Sequence, residues 1–256
     1  KDPMSFVVPT VHVDLPSKGK YYPKEHPLYS QDSIEIRLMT AKDEDILASP
    51  NLIKKGIVLD RLLSNLILDK RIKLEDLLIG DKNAILIQTR ISAYGPDYNV
   101  QITCPQCSHE QKQDYDLEEC YVAHEGTLEE EVTSLENGNF KVVLPNTKVE
   151  CEIRIMTGKQ EKSIFKSLRE DSKKKETSIL TQQLKMMLVS ANGYDQPNVV
   201  GYFAENMPVG DSRKLREIHD KLSPNATLNA EFECEECDHS GDLEVPLTSE
   251  FFWPNR

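Results

Sequence analysis

Hydrophobic and polar residues follow the same order of patterns in the two halves of the chain. Over residues 33–39 and 149–156, apolar residues alternate with charged or polar ones, which predicts one strand in each half. Each strand is followed by a threonine, Thr40 or Thr157, with an acceptor side chain three positions later. This spacing is typical of a capping box, which satisfies the free amides at the start of a helix. Helices are therefore predicted to begin near residues 41 and 158.

Each half is predicted to continue with two more helices and a second strand. Apolar stripes at helical spacing predict helices over 57–68 and 178–190. The next helix is predicted to start at Asp81, which is interpreted as its N-cap, and at Asp211 in the second half. A short strand then leads into a Cys-x-x-Cys sequence in each half, over 99–103 and 229–233.

The two halves also match residue by residue. Glu-Ile-Arg-Leu-Met-Thr at 35–40 recurs as Glu-Ile-Arg-Ile-Met-Thr at 152–157, and Cys-x-x-Cys-x-His occurs at both 104–109 and 234–239. Because the matches keep the same order, they indicate an internal repeat. The predicted fold is α+β, with two pseudo-repeated modules related by an approximate two-fold. Each module consists of strands, helices and then a zinc-ribbon-like Cys-x-x-Cys knuckle.

The repeat also predicts how the chain divides into domains. An N-terminal α+β module is expected over 1–123 and a C-terminal α+β module over 141–256, each with its own Cys-x-x-Cys knuckle. The segment 124–140 between them is acidic and contains two glycines, which is typical of a linker.

Composition narrows the class of protein. The chain has 256 residues, with 31 Lys and Arg against 43 Asp and Glu, so its formal net charge is −12. This charge argues against a generic nucleic-acid coat, because phosphate binding needs a basic surface. No apolar stretch approaches the roughly 20 residues of a membrane span, and the first residues lack an export-signal pattern. We therefore expect a reducing compartment, where paired cysteines indicate metal ligands before disulfides.

Four of the six cysteines form the candidate site. One pair, Cys104 and Cys107, belongs to the first module, and the other, Cys234 and Cys237, occupies the same positions in the second. Two such knuckles complete a tetrahedral zinc site with sulfur ligands. The sequence therefore predicts one structural zinc per chain, held between the two halves.

A local zinc finger is the main alternative for this site. Cys104, Cys107, Cys120 and His124 have the spacing of a self-contained finger with three cysteines and one histidine. That arrangement would leave the second Cys-x-x-Cys pair without partners, so the site between the halves is favoured. A third interpretation is that no metal binds. The sixth cysteine, Cys151, lies in a predicted strand and is interpreted as a core residue.

No known catalytic motif is present in the sequence. We find no nucleophile elbow, Walker A loop, zinc-protease helix or dinucleotide fingerprint. A closed site of four thiolates leaves no position for a reactive water, so its zinc would be structural. The sequence therefore predicts a protein that is not an enzyme.

Five segments stand in order across residues 15–120, and they are 38–47, 52–56, 76–84, Tyr94-Gly95 and Cys104-Pro105-x-Cys107. Their order and spacing resemble those of the baseplate hub proteins of T-even-type, contractile-tailed phages. The resemblance implies a non-enzymatic hub subunit or hub-assembly factor that contacts other hub, tail-tube or tape-measure proteins. It also implies that the protein is located in the host cytoplasm during assembly and in the tail baseplate of the virion. Whether the protein stays in the virion is left open.

Two further features bear on partners. The C-terminal segment 247–254 contains the single tryptophan and is a candidate interface, with burial as a terminal strand as the alternative. The three lysines at 173–175 are interpreted as a solvated surface. The alternative is that the chain is a zinc-ribbon protein that binds nucleic acid or acts as a regulator. The acidic net charge argues against nucleic-acid binding.

Overall fold

A computed structural model describes residues 8–174, 179–246 and 251–252 of the protein, with the side chains of 168–174 left out. The elements up to residue 124 are β1 (Thr10–Asp14), β2 (Ser33–Arg37), α1 (Ala41–Ala48), α2 (Pro50–Lys55), α3 (Val58–Leu66), a 3₁₀ turn (Leu74–Asp76), α4 (Ile79–Tyr94), β3 (Asp97–Thr103), β4 (Glu110–Asp116), α5 (Leu117–Cys120) and β5 (Tyr121–His124). The later elements are β6 (Val132–Ser134), β7 (Phe140–Val143), β8 (Glu150–Ile153), α6 (Gly158–Lys174), α7 (Ile179–Met187), β9 (Leu188–Ala191), α8 (Pro197–Asn206), α9 (Val209–Leu222), β10 (Asn225–Glu233) and β11 (Ser240–Glu244).

The strands form four small sheets, all with antiparallel neighbours. Strands β1 and β2 make one pair and β3 and β4 another, while β6, β7, β8 and β9 make a four-stranded sheet in chain order. The remaining sheet has the order β11-β10-β5, so β5 from the end of the first half pairs with β10 from the second. Its register places Leu228 opposite Tyr121. Backbone hydrogen bonds therefore tie the two halves together.

Buried apolar side chains from both halves belong to one continuous cluster. Leu62 and Leu63 of α3 and Ile85 of α4 are fully buried in it, as are Ile153 of β8 and Leu215 of α9. Burial of this apolar area is the main force that holds the elements together. Within the described ranges, no helix is both long and apolar enough to cross a bilayer.

The predicted starts of α1 and α6 are confirmed, and the reason is the capping side chain. The carboxylate of Asp43 accepts hydrogen bonds from the Thr40 N–H at 2.9 Å and from the Arg37 guanidinium at 2.6 Å. In the second half, the Gln160 amide oxygen accepts from the Thr157 N–H at 3.0 Å. Each helix start is therefore fixed by a side chain three residues further along.

The prediction that Asp81 is a helix N-cap is wrong. Helices α4 and α9 begin two residues earlier than predicted, so Asp81 and Asp211 lie in the first turn, fully buried. The Asp81 carboxylate accepts from the Ser17 N–H at 3.0 Å and the Ser17 hydroxyl at 2.6 Å. The Asp211 carboxylate accepts from the Thr147 N–H at 3.0 Å and the Thr147 hydroxyl at 2.7 Å. Both aspartates thus anchor a preceding loop to a helix start rather than capping their own helix.

The helix predicted over 178–190 is shorter than expected. It ends at Met187, and the chain continues directly into β9, where Leu188 pairs with Ile153 of β8. Helix α8 follows, and the pattern of apolar residues did not predict it. The apolar run at the end of α7 fits either a buried helix or a buried strand, and only pairing with β8 selects the strand.

The C-terminal segment proposed as an interface is buried where the structure describes it. Phe251 and Phe252 are each 2% exposed, and the Phe251 ring packs edge-on against Tyr98 with centroids 5.3 Å apart. An exposed interface at these two residues is therefore wrong. The rest of that segment, including Trp253, lies outside the described residues, as do the side chains of 173–175.

The mixed α+β class predicted from the sequence is confirmed. Both halves carry a hairpin that ends in a Cys-x-x-Cys turn, β3–β4 in the first half and β10–β11 in the second. The two-fold relation between the halves and the domain boundaries at 123 and 141 remain predictions.

Candidate metal centre

The candidate site lies where the tips of the two hairpins meet. Each tip is a tight turn closed by the same bond: the Cys104 N–H donates to the His109 carbonyl, and the Cys234 N–H to the His239 carbonyl, both at 2.8 Å. Ser108 and Asp238 take positive φ angles of 62° and 53° at equivalent positions, and these reverse the chain direction. The result is two matched knuckles, each with one cysteine at its start and one at its exposed crest.

The four predicted sulfur atoms lie together. All four Sγ atoms are within 4.8 Å of one another, with Cys104 Sγ 3.8 Å from Cys237 Sγ and Cys107 Sγ 3.6 Å from Cys234 Sγ. Cys104 and Cys234 are buried, whereas Cys107 and Cys237 are exposed. The sulfurs stand too far apart for disulfides, in which two sulfurs are about 2.05 Å apart.

The donor set fits a tetrahedral zinc ion. A zinc–sulfur bond of about 2.3 Å in a regular tetrahedron places neighbouring sulfurs about 3.8 Å apart. The two short sulfur–sulfur distances of 3.6 and 3.8 Å agree with this value. Four thiolates are also the set that soft or borderline cations select over Mg²⁺ or Ca²⁺. The residues present could therefore hold one zinc ion with no further ligand.

The negative charges of four clustered thiolates require a cation nearby. Burial disfavours ionisation of Cys104, but the backbone N–H groups of Cys107 and Gln106 donate to its sulfur and bring its pKa to about 6. At Cys237 the N–H of His239 favours the thiolate, yet the hydrogen bond with Cys107 and burial raise its pKa to about 12. Four thiolates this close repel one another, so the fully ionised cluster requires a positive charge at its centre.

A glutamine that sequence reasoning missed joins the two knuckles. The Gln111 side chain on β4 donates from Nε2 to the Glu233 carbonyl at 2.9 Å, and its Oε1 accepts from the Glu235 N–H at 3.0 Å. These two backbone groups flank Cys234 on either side. Gln111 therefore fixes the position of a cysteine from the other half of the chain. No pattern in the sequence predicts this role, because the contact joins residues 122 positions apart.

The structure does not bring the local-finger residues together. Cys120 lies buried at the end of α5, where burial raises the pKa of its thiol, and it does not belong to the sulfur cluster. His124 is exposed on β5, and its Nδ1 accepts from the Gly126 N–H at 3.0 Å. Cys151 is fully buried on β8, as expected of a core residue, and burial raises its pKa to about 12.

Comparison with known families gives one match. A family model described as T4 bacteriophage base plate protein matches residues 8–253, nearly the whole chain and both Cys-x-x-Cys hairpins. The chain belongs to this family. Searches of curated proteins and of solved structures found no match. Membership supports a structural role for this base plate protein in the phage tail, in contact with other tail or baseplate proteins.

Proposed function

We propose that this base plate protein is a component or assembly factor of the baseplate hub, acting through contacts with other proteins. The family match over residues 8–253 is the observation that carries the baseplate role. The hub assignment rests in addition on the resemblance of segments across residues 15–120, and it makes hub, tail-tube or tape-measure proteins the partners. The protein would act in the host cytoplasm during assembly and at the tail baseplate in the virion.

One structural zinc per chain, bound by Cys104, Cys107, Cys234 and Cys237, is the second part of the proposal. The sulfur–sulfur distances and the matched turns support it. A bound zinc would supply the positive charge that the thiolates lack. Because the ligands come from both halves, it would hold the two hairpins in one fixed relation. A site closed by four sulfurs leaves no coordination position for a substrate, which supports a role outside catalysis.

An approximate two-fold between the halves is the third part of the proposal. Equivalent contacts support it: Asp81 binds the Ser17 loop as Asp211 binds the Thr147 loop. In addition, Ile36 of β2 forms an antiparallel bridge with Ile67. Ile153 of β8 pairs with Leu188 in the same way. The two Cys-x-x-Cys turns share the same closing hydrogen bond. With this symmetry, the metal would lie close to the axis.

Nucleic-acid binding through the hairpins is the weaker alternative. A zinc ribbon that binds phosphates presents lysine or arginine side chains near the metal. Here the second hairpin has acidic residues at its tip, Glu235, Glu236 and Asp238, all exposed. Their charge repels phosphate groups, so the geometry favours a protein partner.

Native mass spectrometry of the wild type and of Cys234→Ser tests the metal. We expect one zinc per wild-type chain and none in the variant, with Cys120→Ser as the matched control that keeps its zinc. Zinc retained in Cys234→Ser would instead assign the metal to the first half alone.

Co-purification tests the hub role. The tagged chain should co-purify with hub, tail-tube or tape-measure proteins when these are expressed together. A chain that binds none of them, while remaining folded and metal-loaded, would contradict the proposal.

A further inference from the structure

The net charge of the protein is concentrated in the two hairpins. Residues 95–120, which contain β3, β4 and α5, include six carboxylates and one lysine. Residues 222–246, which contain β10 and β11, include seven carboxylates and neither lysine nor arginine. Together these segments carry a formal charge of −12, the net charge of the whole chain, so the other residues are balanced. We call these two segments the acidic hairpins.

Among the described residues, these carboxylates have no cationic partner. All but Asp116, which is half-buried, are exposed. None of them forms an ion pair with any residue that the structure describes, although carboxylates elsewhere, such as Glu129, Glu131 and Asp60, pair with lysines. The rest of the chain is therefore neutral overall, whereas the acidic hairpins carry a net negative charge.

Two pairs of acidic residues are placed directly across from each other. On the first hairpin, Asp97 is opposite Asp116, and on the second, Glu231 is opposite Asp242. Like charges at directly opposed positions of an antiparallel pair destabilise the sheet. A cationic partner beside either pair would offset this repulsion.

The acidic hairpins contact each other at both ends. At the tips the four cysteines meet, and at the base the Tyr98 hydroxyl of β3 donates to the Pro246 carbonyl beyond β11 at 3.0 Å. The fields of the two hairpins therefore add over one region of the surface.

A cavity of about 520 Å³ opens at the base of the first hairpin. It is lined by Tyr94, Tyr98 and Tyr115 together with Asp97, Asp114 and Asp116. Tyr115 is 8% exposed, and its hydroxyl has no hydrogen-bond partner in the described part of the protein. A buried hydroxyl without a partner costs free energy, and an incoming donor would satisfy it. Tyrosine rings beside carboxylates are the lining that suits a guanidinium or an ammonium group.

Arg90 also lines this cavity but does not make it a site for anions. Its guanidinium donates to the carbonyls of Phe251, Gly95 and Asp97 at 2.6, 2.6 and 2.9 Å. The side chain is fully buried and stacks near the rings of Tyr94 and Phe251. Its donors are therefore used within the fold, and the charges that face solvent are carboxylates.

We propose that the acidic hairpins are the docking surface for a basic face of another baseplate protein, with an arginine or lysine side chain of that partner entering the tyrosine-lined cavity. This inference rests on the proposed baseplate role and adds to it the location and charge of the contact. The partner contributes the positive charge that the opposed acidic pairs lack, so binding weakens as salt increases.

The test uses the full-length, metal-loaded protein and a defined probe. The probe is a short labelled peptide that alternates arginine and glycine, and its twin carries glutamine in place of arginine. One variant combines Asp97→Asn with Glu231→Gln, which removes one member of each opposed pair. The matched control combines Glu130→Gln with Glu136→Gln, which changes the net charge equally at two exposed carboxylates that form no ion pair with a described residue.

We expect the arginine peptide to bind the wild type and the control alike, and the hairpin variant about tenfold more weakly. The hairpin variant should be as resistant to heat as the wild type or more so, because it loses only repulsion. Tyr115→Phe should also bind the peptide several-fold more weakly while remaining folded. Equal binding by all four proteins, or binding of the glutamine twin as well, would overturn the proposal. Displacement of the peptide by millimolar Mg²⁺ or Ca²⁺ bound at the hairpins would assign the surface to an inorganic cation.

Co-expression with baseplate proteins separates this inference from the proposed function. If the wild type and the hairpin variant co-purify with the same partner equally well, the baseplate role stands and the docking surface is wrong. If the wild type captures no baseplate protein, the function fails, and the peptide measurements still decide whether the hairpins bind cations.

Discussion

At the residue scale, four of the six cysteines form a sulfur cluster and the other two do not. Cys104, Cys107, Cys234 and Cys237 lie within 4.8 Å of one another, while Cys120 and Cys151 are separate and buried. The spacing of the sequence left two ligand sets open. The structure places only one of these sets within the reach of a single ion.

Serine substitutions should rank the cysteines by this geometry. Cys107→Ser and Cys234→Ser should each lower the free energy of unfolding by several kcal/mol, and by similar amounts, because each would remove a ligand of the one metal proposed. Cys120→Ser should have a much smaller effect. Urea denaturation with zinc present measures all three. A larger loss for Cys120→Ser than for Cys234→Ser would support the local finger instead.

The two buried aspartates have opposite pKa shifts, although each lies in the first turn of a helix. Burial raises the pKa of Asp81, although hydrogen bonds from Ser17 and Tyr22 oppose this. Burial also acts on Asp211, but donors from Asn146 and Thr147 outweigh it and lower the pKa. The stabilising contribution of Asp81 is thus full below its unfolded pKa and is lost as pH rises through its folded pKa. That of Asp211 is full above its unfolded pKa and is lost as pH falls through its folded pKa.

Asparagine substitutions should therefore show opposite pH dependence. The pKa of an aspartate in the unfolded chain is about 4. The loss of unfolding free energy caused by Asp81→Asn should shrink as pH rises above this value. The loss caused by Asp211→Asn should instead grow as pH rises toward it. Unfolding free energies measured from about pH 3 to about pH 7 would show both trends. Parallel trends in the two variants would mean that the environments of these carboxylates are not as described.

At the scale of elements, the fit between α4 and β10 depends on a glycine. A Cβ at Gly80 would lie 2.1 Å from the carbonyl oxygen of Pro224, just before β10. A backbone atom at that distance cannot move aside locally, so Gly80→Ala should destabilise the protein by at least about 2 kcal/mol. Gly241→Ala on β11 is the control, since a Cβ there meets nothing within 4 Å. Thermal unfolding of the two variants compares them, and similar melting temperatures would contradict this packing.

The contact between the two hairpins depends on Gln111. Removing its side chain in Gln111→Ala leaves the Glu233 carbonyl and the Glu235 N–H without their partner and loosens Cys234. We expect zinc affinity to fall by about 10- to 100-fold, as for other residues that orient a metal ligand. Competition with a chelator measures this. Gln101→Ala, at an exposed position of β3, is the control and should leave the zinc affinity unchanged. An equal loss of zinc affinity in both variants would contradict the role of Gln111 in positioning Cys234.

At the scale of the whole molecule, the two halves are linked in three ways. They share one apolar cluster, they are joined by the β5–β10 pairing, and they meet at the sulfur cluster. Removing the proposed zinc with a chelator should therefore speed hydrogen exchange in β3–β4 and β10–β11 together. The β6–β9 sheet, which is remote from the sulfurs in the chain and bonded within itself, should keep its protection. Exchange that increases in β3–β4 alone would indicate a metal held by the first half.

The sequence determined those features that depend on neighbours a few residues apart. The strands at 33–37 and 150–153, the starts of α1 and α6, and the matched Cys-x-x-Cys turns follow from periodicity and capping, which are local properties. The end of α7 and the existence of β9 did not follow, because the same apolar run suits a helix or a strand until β8 pairs with it.

Only the tertiary structure decided the contacts between residues that are 64 or more positions apart. It selected which cysteines meet, gave Gln111 its place beside Cys234, and put Asp81 and Asp211 against preceding loops instead of at helix caps. It also brought the two acidic hairpins into contact with each other. These outcomes depend on how elements pack against one another, and packing partners are not encoded in the periodicity of either element alone.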